Sequence, residues 1–71
     1  MKILLFKTNI DIKTDHATVS DLLDSEKRIM RWDLGNEDEF TVLFVMCSGL
    51  TEHTIEEMIK SLGFECEFWQ G

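Results

Sequence analysis

The sequence predicts an α+β domain: a four-stranded antiparallel sheet with two helices on one face. Three observations carry that prediction. Two short runs, Ile3–Phe6 and Phe40–Cys47, are apolar at successive positions, as strands at the centre of a covered sheet are. Two stretches, around Val19–Leu23 and Ile55–Leu62, repeat apolar residues at helical spacing. Two further runs, Ile29–Leu34 and Phe64–Trp69, alternate with the two-residue period of a half-buried strand. The resulting order is β-α-β-β-α-β. Two βαβ halves joined by a hairpin make the split βαβ, or ferredoxin-like, sandwich, with an expected strand order of 4-1-3-2.

Each element follows from its residues. In MKILLFKT, the first strand is apolar on both parities, which places it beside the other such strand. Asn9–Asp15, NIDIKTD, breaks that pattern, and Thr14 or Asp15 is expected to cap the first helix. Val19, Leu22 and Leu23 form the buried stripe of that helix, and Lys27 and Arg28 suit its C-terminal dipole. In Ile29–Leu34, Met30, Trp32 and Leu34 share one face, against Arg31 and Asp33. Gly35–Asp38 is a polar hairpin turn into FTVLFVMC, where Val, Phe and Thr favour the extended chain.

The second helix has the clearest signals. Thr51 is its N-cap, Leu50 and Ile55 form a hydrophobic staple, and Ile55, Met58, Ile59 and Leu62 make its stripe. Glu56 and Lys60 are expected to pair on the wet side, and Gly63 to close the helix in the left-handed conformation. The last strand sets Phe64, Cys66 and Phe68 against Glu65 and Glu67, two acids suited to blunting a sheet edge.

Composition narrows the function classes. The 71 residues form one domain, residues 1–71, with a thin core. A chain 44% hydrophobic and 30% charged is globular rather than disordered. No apolar run approaches the ~20 residues of a membrane span, and MKILLF reads as a strand rather than a signal peptide. The expected location is the cytoplasm. A net charge of −7 repels phosphate backbones, so nucleic acid is excluded as a partner, as is the membrane. Cys47 and Cys66 belong to no CxxC or CxxH motif and read as two buried free thiols at opposite ends of the sheet.

With that order established, the chain resembles the heavy-metal-associated domains of copper chaperones and metal-transporting ATPases. Val19 and Leu23 stand where that family places the Val and Leu of its first helix. Trp32-Asp33-Leu34 is similar to its Val-Asp-Leu strand, and Ile55, Ile59 and Leu62-Gly63-Phe64 resemble the close of its second helix. The resemblance implies the same fold and, in the family, a Gly-Met-x-Cys-x-x-Cys metal loop. Here that motif falls on Asn9–Asp15, with Ile12 and Asp15 where the thiolates belong. Isoleucine cannot ligate, and a lone carboxylate is a hard ligand unsuited to Cu(I). The resemblance therefore implies a metallochaperone-like scaffold with a degenerate metal site.

Two kinds of site remain as candidates. Asp11, Asp15, His16 and Cys66 belong to one end of the proposed sheet, and such a ligand set would suit zinc better than copper. A soluble zinc or copper carrier with these ligands is the alternative to a domain without cofactor. Cys47 and His53 flank the entry to the second helix but lack an orienting third group and an oxyanion site, so no enzyme is expected.

The other candidate is the sheet face away from the helices. Whichever parity faces the helices, the two central strands leave apolar residues on the other side. Lys7 assigns Ile3 and Leu5 to the open face, whereas Thr41 assigns Leu43 and Val45 to it, so parity stays open. The expected interface is Leu4, Phe6, Leu43, Val45 and Trp69, meeting a protein partner or a second copy of the chain.

Overall fold

A computed structural model describes residues 1–70. The chain folds as β1 (Lys2–Thr8), α1 (Ile12–Asp24), β2 (Ile29–Asn36), β3 (Thr41–Cys47), α2 (Glu52–Lys60) and β4 (Cys66–Trp69). The sheet order is β2-β3-β1-β4, with every pair antiparallel. This is the ferredoxin-like sandwich that the pattern predicts, read from the opposite edge. Among the described residues no helix is long and apolar enough to cross a membrane.

The core lies between one sheet face and the two helices. Val19 and Leu23 of α1 and Ile55 and Ile59 of α2 are fully buried against Leu4, Phe6, Leu43, Val45 and Cys47. Burying each such side chain contributes about 1.5–3 kcal/mol.

Sheet parity corrects the expected interface. Leu4, Phe6, Leu43 and Val45 are core residues only 0–7% exposed, not surface residues. The misleading clue was Thr41, which is buried with its hydroxyl donating to the Ile10 carbonyl at 2.6 Å. Its neighbour Thr8 donates to the Thr41 carbonyl at 3.0 Å and accepts from Ile10 N–H at 3.3 Å. Satisfied hydroxyls can lie in a core without a desolvation penalty, so Thr41 marks no wet face. Lys7 marks it correctly.

Three local expectations also shift. The cap of α1 is Asp11, not Thr14 or Asp15. Its carboxylate accepts from Lys13 N–H at 2.9 Å and Thr14 N–H at 3.1 Å, while Asp15 accepts from Asp11 N–H at 2.8 Å. Ile10, buried just ahead of the cap, pins the chain so that the helix begins at once.

Lys27 and Arg28 lie beyond α1, whose last turn holds no basic residue, and Arg28 instead forks onto Glu26 at 3.0 and 3.2 Å. In β2 an irregularity between Ile29 and Arg31 gives Met30 no partner on β3 and leaves it 52% exposed, so it does not share the covered face with Trp32 and Leu34. By contrast, Thr51 caps α2 as expected, and Gly63 takes φ +95° just past the helix end.

Candidate functional site

The four proposed metal ligands do not converge. The loop after β1 and the chain entering β4 do meet, as predicted, because Asn9 Oδ1 accepts from Glu65 N–H at 2.8 Å. What meets there is a side-chain amide and a backbone group. Asp11 and Asp15 are engaged in starting α1. Backbone N–H groups of Thr14 and Lys13 hold the Asp11 carboxyl below its ordinary value.

His16 points the other way, its ring 5.4 Å from that of Trp32. Cys66 is buried, and that burial, with nearby Glu56 in support, pushes its thiol up to about 12. A ligating or nucleophilic cysteine needs the opposite shift. Among the described residues, no group of three or more His, Cys, Asp or Glu side chains gathers to hold a metal ion.

The two cysteines are free and buried. Cys47 lies opposite Lys2 and Cys66 opposite Thr8, at the two ends of β1. The strand rise separates them by about 20 Å, far beyond disulfide reach.

Around His16 a polar clamp joins α1 to the edge strand β2. The Trp32 indole N–H donates to Asp24 at 2.7 Å, and the Ser20 hydroxyl donates to its other oxygen at 2.8 Å. These bonds, the indole's first, hold Asp24 below the usual carboxylate range. Nothing in the spacing of Asp24 and Trp32 announces the pair.

The open sheet face is where apolar surface remains. Register puts Ile3, Leu5 and Lys7 of β1, Val42, Phe44 and Met46 of β3, Arg31, Asp33 and Gly35 of β2, and Glu67 and Trp69 of β4 on it. Ile3 is 57% exposed, and Leu5, Val42, Phe44, Met46 and Trp69 are half-buried. Trp69 is therefore the one member of the expected interface that the fold leaves on this face.

The face has two unlike halves. On the β1–β4 side, Phe40 and Trp69 meet edge to face at 5.3 Å, and Lys7 Nζ lies 4.9 Å from the Phe40 ring centre. On the β2–β3 side runs a groove of about 410 Å³ floored by Val42, Phe44 and Met46. Gly35 lines it, and a Cβ added there would meet no atom within 4 Å beyond its chain neighbours.

Both sheet edges carry a carboxylate on a backbone donor. Glu56 reaches from α2 to accept from Phe68 N–H of β4 at 2.7 Å, and Asp33 accepts from Leu34 N–H of β2 at 2.9 Å. Glu56 thus corrects the expected Glu56–Lys60 pair: the single ion pair among the described residues is Arg28–Glu26. Comparison with known protein families, with curated proteins and with solved structures finds no match to this chain.

Proposed function

We propose that this chain is a non-catalytic association domain, a heavy-metal-associated type of scaffold without its ion, which pairs with a second copy through its open sheet face. The observation that carries this reading is the apolar surface of that face, centred on Leu5, Val42, Phe44 and Met46. An apolar patch of a few hundred Å² is as large as monomers ordinarily expose, and such patches are often functional.

The charge pattern favours a second copy as the occupant. The chain carries −7 in all, yet its open face holds two cations, Lys7 and Arg31, against two anions, Asp33 and Glu67. Two such faces meet without net repulsion. Strands about 4.8 Å apart and rising about 3.3 Å per residue give the face a footprint of roughly 400 Å². A face-to-face pair then buries on the order of 1,000 Å², near the lower limit of specific interfaces.

Carboxylates already engaged at both edges favour the face over edge-to-edge pairing. The engaged Asp11 and Asp15 and the protonated Cys66 support a domain without metal or catalytic chemistry.

Amide and methyl NMR shifts followed from 20 µM to 1 mM test the reading. Concentration-dependent shifts confined to the open-face residues of β1, β2, β3 and β4 are expected. Shifts confined to the outer faces of α1 and α2 would overturn it.

A further inference from the structure

Resting on that reading, we infer that the pair is held by a reciprocal insertion: Trp69 of each copy enters the groove that Gly35 leaves open on the other. The sheet's own order supplies the symmetry. Its midline falls between β3 and β1, so a two-fold axis along the strands lays β4 of one copy over β2 of the other and β1 over β3. Facing sheets keep their strands within about 30° of one another, so residues that share a row meet across the interface.

Trp69 pairs with Leu5, Leu5 with Phe44, and Phe44 with Asp33, which puts Trp69 and Asp33 in one row at opposite edges of the same face. The axis therefore carries each Trp69 over the partner copy's Asp33, beside its groove. The shapes agree with this arrangement. The paired aromatics occupy one half of the face and the hollow the other, and the axis sets each half over the opposite half of the second copy.

A groove of about 410 Å³ has room for an indole. The chemistry agrees as well. Asp33 uses Oδ1 on Leu34 N–H, which leaves Oδ2 to accept from the incoming indole N–H. Burial of an aromatic anchor with its polar tip paired is the usual source of interface affinity.

The test uses two variants and their mixture. Trp69→Ala removes the projection. Gly35→Leu fills the groove, and the open space around Gly35, with a backbone outside the left-handed region, lets the fold accept it. Sedimentation equilibrium should show each variant alone associating at least tenfold more weakly than the wild type. An equimolar mixture should form a heterodimer, because the Gly35→Leu chain still supplies Trp69 and the Trp69→Ala chain still supplies an open groove.

Wild-type association by both separate variants, or a mixture that restores nothing, would overturn the insertion while leaving the paired sheet faces standing. A wild-type chain that stays monomeric at 1 mM would instead remove the reading beneath it. Circular dichroism of each variant confirms that the comparison is between folded chains.

Discussion

Carboxylates near the helix ends do structural work at the scale of single residues, and their pH dependence follows from it. Asp11 is held below its ordinary value by backbone N–H groups, Asp24 by the Trp32 indole, and Glu26 by the Arg28 side chain. A depressed folded value means that the unfolded chain binds protons first as pH falls. Their stabilisation is therefore complete above the ordinary values of 3.8 for the aspartates and 4.5 for the glutamate, and is lost as pH drops through the folded values.

Urea midpoints should accordingly be flat between pH 7 and about 5.5 and decline below about 4.5. Asp24→Asn should lose part of that acid-side slope, whereas an unchanged slope would remove Asp24 from the account. Residue-scale facts were also the least legible in the sequence. Thr41 reads as a surface residue until its bond to the Ile10 carbonyl is known, and Asp24 and Trp32 share no local pattern. Long-range side-chain bonds leave no periodic trace in a chain.

Elements were legible wherever local chemistry sets them. The cap, the staple, the terminal glycine and Ile55, Met58 and Ile59 of the stripe of α2 fall where their spacing puts them, because each interaction is made within one or two turns, whereas Leu62 lies past the helix end at Lys60. Thr51→Ala should cost about 1 kcal/mol by removing the hydroxyl that accepts from Thr54 N–H, measured as a lower urea midpoint with unchanged slope. No loss would mean that the cap is already replaced by water.

The start of α1 was misplaced because Asn9–Asp15 holds several residues able to cap. Only the burial of Ile10 selects Asp11 among them. The irregularity in β2 was invisible for a related reason. Met30, Trp32 and Leu34 alternate correctly, but pairing with β3 takes Ile29 in place of Met30.

At the scale of the whole molecule, strand order was readable and face parity was not. Both central strands are apolar at odd and even positions alike, so each could present either side to the helices. That same ambiguity is the physical origin of the proposed function. A strand pair apolar on both sides needs two covers, and the two helices supply one. The candidate metal site was inferred from topology, which does bring the loop after β1 and the chain entering β4 together, but its residues are engaged in local turns or turned apart.

The measurement that bears most directly on the open face is sedimentation equilibrium of the wild type beside Phe44→Lys, from 10 µM to 1 mM. Phe44 lies directly across from Asp33, so the new lysine gains a cross-strand partner and the fold is retained, while the centre of the face becomes charged. Pairing through this face predicts a monomer–dimer equilibrium for the wild type and a monomer throughout for the variant. Equal association of the two chains would contradict it.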